Sequence, residues 1–412
     1  MRFFVFFVGI CLVPAVAAHA QAPADTEQRF KALEERIRAL ESELRAVKEA
    51  QAAQAAAAPA AEPTASAPPV AREAQAATAP QTLGGAPSTA GNVLNPNVSV
   101  IGNFIASAGK NSVRPTSSLE MSETEIAFQA IVDPYARADF FLSLSPEGIE
   151  LEEGYLTFTS LPAGLVGKVG KMRAAFGKVN AQHNDQLPWT DRPLVTENLV
   201  AGDEGINDAG LSVSRVFEGP GGLFLEGTAQ VYRGESEGLF EPNRKRELST
   251  VSHLRGYRDL TESTNLEMGF SYARGYNDTG EGFTTNLYGV DATLRWKPLR
   301  RAIYNSFLWR TELVWSRRDQ LPTLEKAFGL YSSAEYRLNR RWTIGGRFDR
   351  SGRADAASMT DTGFSALLTY WPSEFSQLRG QYRFTRYAEG RDGNELRFQF
   401  LFNIGPHGAH PF

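Results

Sequence analysis

From Val98 onward, apolar and polar side chains alternate at every second residue of this chain. The last such stretch, NELRFQFLFNI, has apolar residues at alternate positions from Leu396 to Ile404 and mostly polar residues between them. This period is that of a β-strand whose two faces lie in different surroundings. The polar face repeatedly carries Glu and Arg, which are rarely buried without a partner, so that face is too charged for a dry core. The aromatic face therefore points out of the protein toward lipid, and the charged face lines an aqueous interior.

The connections between these stretches indicate a closed barrel. Short ones such as VDPYA, SLPAG and LNRRW alternate with long polar ones such as RGESEGLFEPNRKRE and DRSGRADAASMTD. Short turns at one end and long loops at the other, with an even number of strands, are typical of transmembrane barrels. No run of about eighteen apolar residues follows the N-terminal segment, which excludes transmembrane helices. The predicted fold is all-β, a 16-stranded antiparallel transmembrane β-barrel over residues 98–412, rather than a soluble β-sandwich, which has shorter strands and no such asymmetry.

Residues 1–20 are predicted to be a secretory signal peptide. The segment contains Arg2, an apolar stretch and then Ala18, His19 and Ala20 as a small-residue cleavage site. The one cysteine of the chain, Cys11, lies in this segment, so the mature protein is held together without disulfides. The formal net charge of −4 is too small to indicate a nucleic-acid partner. The signal peptide and the barrel together predict localisation in the outer membrane of a Gram-negative cell.

Residues 25–54 are predicted to form a parallel coiled coil in the periplasm. Apolar residues recur there at alternating three- and four-residue steps, the seam of a heptad repeat. The seam consists of Phe30, Leu33, Ile37, Leu40, Leu44 and Val47. The alternative, an amphipathic helix packed on a globular body, usually has a wider apolar stripe. Residues 55–97, rich in Ala, Pro, Ser and Thr, have almost nothing to bury and are predicted to be a disordered linker.

One connection, residues 177–206, differs from all the others. It is the longest of the predicted loops and contains the apolar stretches LPW, DRPLV and NLVAG. Loops of this length in compact proteins are usually functional or disordered, and this one is too apolar for a free surface loop. We expect it to fold inward and narrow the barrel interior. Its candidate constriction residues are His183, Asp185, Asp191, Arg192, Glu197, Asp203 and Glu204.

Two motifs next to this loop resemble a known family. The strand EEGYLTF and the segment VGKMRAAFGK resemble the region before the third loop in the phosphate-selective porins of the O and P type, from Gram-negative outer membranes. The rest of the barrel resembles sixteen-stranded porins more loosely. This resemblance implies a third loop that narrows the channel, and a homotrimer. Ala175 stands where that family often has proline, and its phosphate-binding lysines do not map onto this chain, so anion selectivity does not carry over.

Charge is distributed unevenly over the predicted interior. Acidic residues are frequent on the earlier strands and arginines on the later ones. The candidate pore-lining residues are Glu125, Glu153, Arg310, Arg337, Arg347, Arg379, Arg383 and Arg397. An acidic loop facing a basic wall would create a transverse field that orients polar solutes as they pass. The alternative is that these charges pair with each other and fill the interior.

Little in the sequence indicates catalysis or a bound cofactor. It contains no phosphate-binding P-loop and no CxxC pair. A barrel hydrolase would need an exposed Ser–His pair, for which His253 is the candidate. His183 with Asp185, or His407 with His410, could coordinate a metal, but neither pair has the ligand set of a structural site. We therefore expect no enzyme activity, no cofactor and no metal.

Two functions from different classes fit these features. One is a porin, a passive diffusion channel for small hydrophilic solutes or ions. The other is a structural anchor, in which a plugged barrel tethers the periplasmic coiled coil to the cell wall or to a partner. The expected partners are outer-membrane lipid, further copies of this chain in a homotrimer and, through the coiled coil, peptidoglycan or a periplasmic protein.

Overall fold

The computed structural model describes residues 96–146 and 148–405. The predicted signal peptide, the coiled coil with its seam from Phe30 to Val47, most of the linker, and the histidines His407 and His410 lie outside the described residues. In the part of the chain that is described, no helix is both long enough and apolar enough to cross a membrane.

Sixteen antiparallel strands in the described residues form one closed barrel, which confirms the predicted fold. Each strand pairs with its neighbours in sequence, and the last strand pairs with the first, so the sheet has no open edge. The strands are β1 (Asn97–Lys110), β2 (Leu119–Asp133), β3 (Ala136–Ser145), β4 (Gly148–Leu161), β5 (Leu165–Arg173), β6 (Asn207–Gly219), β7 (Leu223–Tyr232), β8 (Ser249–Thr261), β9 (Thr264–Tyr276), β10 (Thr284–Trp296), β11 (Ser306–Arg318), β12 (Glu325–Arg337), β13 (Trp342–Gly352), β14 (Thr360–Ser373), β15 (Ser376–Arg386) and β16 (Asp392–Ile404). The first strand begins one residue before the predicted start of the barrel.

The two faces of the barrel wall differ as the alternation of the sequence requires. Apolar side chains on the outer face are open to the surroundings, with Phe270 of β9 54% exposed and Leu396 of β16 58% exposed. Polar side chains on the inner face, such as Glu125, Asp291 and Gln399, are buried. The apolar outer surface matches the hydrocarbon of a bilayer. The closed barrel also meets the second requirement of that environment, since the backbone hydrogen bonds of every strand are made with two neighbouring strands.

A glycine and an aromatic ring meet at the closure between β1 and β16. Gly102 lies opposite Phe402 in the register of these two strands. The Phe402 ring covers Gly102 so closely that a Cβ atom at position 102 would overlap it. A larger residue at position 102 would therefore displace the ring at the seam that closes the barrel.

The two ends of the barrel differ in their connections. Short turns, two of which are the 3-10 turns Pro162–Gly164 and Pro220–Gly222, join strands at one end. Connections at the other end are mostly longer, with two departures from the predicted pattern. The connection from Ser145 of β3 to Gly148 of β4 is short, and the connection from Trp296 of β10 to Ser306 of β11, at the short-turn end, is long. Both ends of the described chain lie at the short-turn end, since an even number of strands returns the chain to its starting side.

The connection between β5 and β6, residues 174–206, is called the inward loop from here on. It contains a 3-10 turn (Asn184–Gln186) and the short helix α1 (Leu194–Leu199), which lies against β11, β12, β13 and β14. Apolar residues of the loop form one buried cluster with apolar residues on the inner faces of strands. The apolar core of the described residues therefore lies between the inward loop and the barrel wall.

Candidate functional site

The start of the inward loop is fixed to the wall through its backbone. The amides of Lys178 and Val179 donate hydrogen bonds of 2.7 and 2.8 Å to Oε1 of Glu312 on β11. The amide of Gly177 donates to the Ser271 hydroxyl on β9 at 2.9 Å. Gly177 has φ of 60°, and a Cβ atom there would lie 2.6 Å from Oε2 of Glu312. Glycine is therefore required for this close approach, which gives buried backbone donors the partners they need.

The middle of the loop packs its apolar side chains inside the barrel. Trp189 and Val195 are almost completely buried. The Trp189 ring meets the Tyr331 ring of β12 edge to face, with 5.2 Å between centroids. Both residues belong to the apolar stretches LPW and DRPLV, which are unsuited to a free surface loop. Their burial removes apolar surface from water, which stabilises the docked loop.

An ion pair joins the loop to the basic part of the wall. Asp191 of the loop lies 2.7 Å from Nη2 of Arg347 on β13 and 3.1 Å from Nη1 of Arg383 on β15. Burial alone raises the pKa of the Asp191 carboxyl, but the two guanidinium groups hold it well below its usual range. Arg347 also lies over the Trp189 ring at 4.8 Å. Asp191 is therefore ionised and held between two arginines.

Two more predicted residues strengthen this contact. Arg379 on β15 donates to the Trp189 carbonyl of the loop at 3.2 Å and to Gln399 at 2.6 Å. Glu197 of α1 pairs with Arg114, which lies between β1 and β2, and comes within 3.8 Å of Arg383. Asp191 and Glu197 of the loop thus contact arginines of the wall directly.

The opposite side of the loop meets an acidic part of the wall through His183. Nδ1 of His183 lies 2.7 Å from Glu125 on β2 and 3.0 Å from Glu152 on β4, and Nε2 lies 2.7 Å from Glu153. The imidazole is buried and also contacts the Phe141 ring. Burial alone lowers the pKa of His183, but Glu125 and Glu152 raise it well above its usual range.

A β-bulge in β4 explains why two adjacent glutamates reach the same histidine. Phe141 of β3 pairs with Glu153 and Leu142 pairs with Leu151, so Glu152 is an extra residue in β4. Strict alternation assigns neighbouring residues to opposite faces, whereas a bulge turns both to one side. Strict alternation therefore does not predict Glu152 on the inner face. The acidic pair before Gly154 was visible in the sequence, but nothing there indicated a bulge.

The remaining predicted loop residues differ in their contacts. The guanidinium of Arg192 donates to Asn184 at 2.8 Å and to the Gln182 carbonyl at 2.8 Å, so it braces the loop internally. Burial, together with the charge of Arg173, lowers the pKa of Arg192 to about 10. The Glu204 carbonyl accepts a hydrogen bond from Arg173 at 2.5 Å. Asp203 is exposed, and Asp185 is buried.

Three predicted pore-lining arginines lie on the inner wall and bond to groups of the strands. Arg310 of β11 comes within 3.3 Å of Glu335 on β12. Arg397 of β16 is 3.3 Å from Glu395, and Arg337 lies over the Trp371 ring at 5.4 Å. The interior therefore divides into an acidic wall on the earlier strands and a basic wall on the later ones, with the inward loop bonded to both.

The candidate hydrolase histidine also lies on the inner wall. Nδ1 of His253 on β8 is 2.8 Å from the Ser271 hydroxyl on β9. The same hydroxyl accepts the amide of Gly177 at 2.9 Å, so it helps to hold the start of the inward loop. This contact gives Ser271 and His253 a positioning role at the loop anchor.

Comparison with known proteins gives a distant relative and a shared fold. No protein-family model matches the chain. An uncharacterized protein of Aquifex aeolicus (strain VF5) is 28% identical over 331 residues, covering 71% of this chain and 70% of that protein.

Solved structures of outer-membrane proteins match the barrel. A loop L8 deletion mutant of OmpT, an outer membrane protein of Vibrio cholerae, matches with a TM-score of 0.52 at 10% identity, over 75% of this chain and 99% of that one. The trimer form of in-vitro folded OmpT matches with a TM-score of 0.50 at 8% identity, over 75% and 100%. The outer membrane channel DcaP of Acinetobacter baumannii matches with a TM-score of 0.50 at 10% identity, over 75% and 96%. The described barrel therefore has the fold of outer-membrane barrel proteins.

Proposed function

We propose that the chain is an outer-membrane porin, a passive diffusion channel for small hydrophilic solutes or ions that is narrowed by residues 177–206. The observation that carries this proposal is the inward loop, which is bonded to both the acidic and the basic wall of a closed barrel with a polar interior. A polar lumen inside an apolar outer surface is what a water-filled path through a bilayer requires. The similarity to DcaP, described as a channel, supports the same function.

We also propose a location and an assembly for this chain. The exposed apolar residues of the outer face suit the outer membrane, with the short-turn end toward the periplasm. The resemblance of EEGYLTF and VGKMRAAFGK to phosphate-selective porins supports membership of a porin family, and the trimer form of OmpT supports assembly of three copies. The heptad seam would then join three chains below the barrels.

The paired charges define how a solute would experience the lumen. Two loop acids, Asp191 and Glu197, are neutralised by Arg347, Arg383 and Arg114, so they do not act as a free acidic surface. Among the arginines of the later strands that do not bond the loop, Arg310 pairs with Glu335, whereas Arg337 lies over the Trp371 ring on the inner wall and would act on passing solutes. The transverse field is therefore expected to come from the two wall regions rather than from the loop.

Conductance in planar bilayers tests this proposal. The full-length protein should give discrete channel steps, and removal of residues 187–199 should raise the single-channel conductance because this segment occupies the interior. Heat-modifiable migration of both proteins should verify that the barrel is folded. A correctly folded barrel that gives no conductance, with or without the loop segment, would contradict the channel.

A structural anchor is the second candidate, favoured by the apolar cluster and ion pairs that fill the space between the loop and the wall. In this case the wild-type barrel would not conduct, and the protein would co-purify with peptidoglycan through residues 25–54. Deletion of those residues should then abolish retention on purified peptidoglycan. Binding that persists without them would exclude the anchor.

A further inference from the structure

Metal-ligating side chains converge on the acidic side of the inward loop. Ligand atoms of Glu125, His183 and Asp185 all lie within 4.8 Å of one another, and the same holds for Glu123, Glu125 and Glu152. These five residues are called the His183 cluster. The loop supplies His183 and Asp185, whereas β2 and β4 supply the glutamates. The channel function gives this cluster no role.

The Asp185 carboxylate is the observation that points to a ligand. Asp185 is only 4% exposed, and neither of its carboxylate oxygens has a hydrogen-bond partner among the described residues. A carboxylate removed from water costs free energy unless a partner compensates it. Its ligand atom is instead within 4.8 Å of those of Glu125 and His183.

The charge around Asp185 is also unbalanced. Besides the four carboxylates of the cluster, Glu153 contacts His183. The cationic side chains in contact with this group are His183 itself and Arg173, whose Nη2 is 2.5 Å from Glu152. Five buried carboxylates thus face two cations, and like charges at this separation repel strongly where water is excluded.

We propose that the His183 cluster binds one divalent transition-metal ion, Zn²⁺ or Mn²⁺, through Glu125, His183 Nδ1 and Asp185, with Glu152 completing the ligand set. An imidazole nitrogen combined with carboxylate oxygens suits these ions, whereas Ca²⁺ and Mg²⁺ favour oxygen ligands throughout. Nδ1 of His183 is 2.7 Å from Glu125 and 3.0 Å from Glu152. Neighbouring ligands about 2.1 Å from one ion are separated by about 3.0–3.4 Å, so Glu125 and Glu152 need only small shifts relative to His183.

The contacts outside the cluster fit this role. Nε2 of His183 lies 2.7 Å from Glu153, whose other oxygen accepts the backbone amide of Arg173 at 2.7 Å. A carboxylate that accepts the second ring N–H of a ligating histidine fixes the ring and directs its other nitrogen to the metal. The guanidinium of Arg173 orients Glu152 in the same way.

Metal binding would strengthen the existing contact between the loop and the acidic wall. Because the inward loop and the wall each supply ligands, the ion would stabilise the docked position of the loop on the side opposite Asp191. On binding, the ion takes the place of the Nδ1 proton of His183. If the loop left the wall, His183 and Asp185 would be too far from the glutamates of β2 and β4 to bind the same ion.

The test uses the full-length protein, folded in detergent and freed of metal with a chelator. Titration with Zn²⁺ and, separately, Mn²⁺ should give one high-affinity ion per chain by calorimetry and by elemental analysis after gel filtration. Asp185→Asn and Glu125→Gln should each weaken binding by about tenfold or more, since each removes a charged ligand. Asp203→Asn, an exposed carboxylate of the same loop, is the matched control and should bind like the wild type.

A measurement on the wild type keeps the test independent of variant folding. Electron spin echo of the Mn²⁺ complex should show modulation from a histidine nitrogen, and His183→Gln should abolish it. The proposal is overturned if the folded protein binds no ion above background, if Ca²⁺ alone binds, or if Asp185→Asn and Asp203→Asn bind equally.

Discussion

Asp191 and Arg347 form a buried ion pair between the inward loop and strand β13, with side chains that are 4% and 0% exposed. The pair is part of a larger contact, because Arg383 shares the same Asp191 oxygen and Arg347 also bonds Asp349. Breaking a buried pair by removing one partner is costly, since the other charge remains buried without compensation. The position of the loop should therefore depend on this carboxylate.

The first prediction concerns Asp191→Asn. The substitution leaves Arg347 and Arg383 without their shared carboxylate, so the docked loop should be destabilised by about 3 kcal/mol. Amide hydrogen exchange of peptides covering residues 187–199 should then become about a hundredfold faster, measured by mass spectrometry in detergent. Asp203→Asn is the control, because that side chain is exposed. Equal exchange in the two variants would show that the ion pair does not hold the loop.

The strand pattern was predictable from the sequence, but the contacts of the loop were not. Alternation identifies β9 and β16 because one face must suit lipid and the other water, a constraint that acts on every second residue. The partners of His183 depend instead on how distant segments meet, as Glu125 and Glu152 are on other strands. Glu152 faces inward only because β4 contains a bulge, and no local feature of the sequence specifies an extra residue there.

The pairing of charges illustrates the same limit. The sequence places acidic residues in the loop and arginines on the later strands, and it leaves open whether they pair or create a field. Whether the charges pair depends on distances of a few ångströms between side chains, which neither the composition nor the two-residue alternation determines. Asp191 lies close enough to Arg347 to pair, whereas Arg337 bonds no loop residue and lies over Trp371.

The second prediction concerns Glu312, which accepts the amides of Lys178 and Val179. Glu312→Ala removes the acceptor and leaves two buried donors unpaired, at a cost of about 1–3 kcal/mol each. Glu312→Gln keeps an acceptor oxygen of similar shape and should be much milder. Hydrogen exchange of the amides of residues 178 and 179 should be accelerated in the Ala variant far more than in the Gln variant. If the two variants exchange alike, Glu312 does not anchor the loop.

The third prediction tests which face of the wall meets lipid. Phe270 lies in the middle of β9 and is 54% exposed on the outer face. Phe270→Arg should destabilise the barrel by about 2–4 kcal/mol in phospholipid vesicles, the cost of arginine near the bilayer midplane. The measurement is reversible urea unfolding followed by tryptophan fluorescence. Phe270→Leu, which remains apolar, should cost much less, and equal effects would argue against lipid contact.

The fourth prediction concerns ion selectivity. Arg310 and Arg337 lie on the inner wall without bonding the loop, so replacing both with Gln should leave loop docking intact. The permeability ratio of anions to cations should fall, because two positive charges leave the aqueous path. Reversal potentials under a KCl gradient give this ratio. Arg215→Gln, which removes one positive charge from an exposed position on β6, is the control for each of the two single variants, and an equal shift would indicate a general surface effect.

The last prediction concerns assembly through the heptad seam. A segment of about 30 residues with a Leu and Ile stripe is marginal as a lone helix in water, so it requires partner helices. The charged residues beside the seam favour parallel chains, and barrels inserted in one membrane all point the same way. A linker of the predicted composition reaches about 35–40 Å, enough for three helices to meet below three barrels.

Leu33→Cys places a thiol in the seam of a chain whose one other cysteine, Cys11, lies in the predicted signal peptide. A three-armed maleimide should link this variant into trimers in cells, whereas Glu35→Cys, on the outer side of the same heptad, should link poorly. Monomers or equal products from both variants would exclude a parallel trimeric coiled coil, because only a shared seam brings position 33 of three chains together.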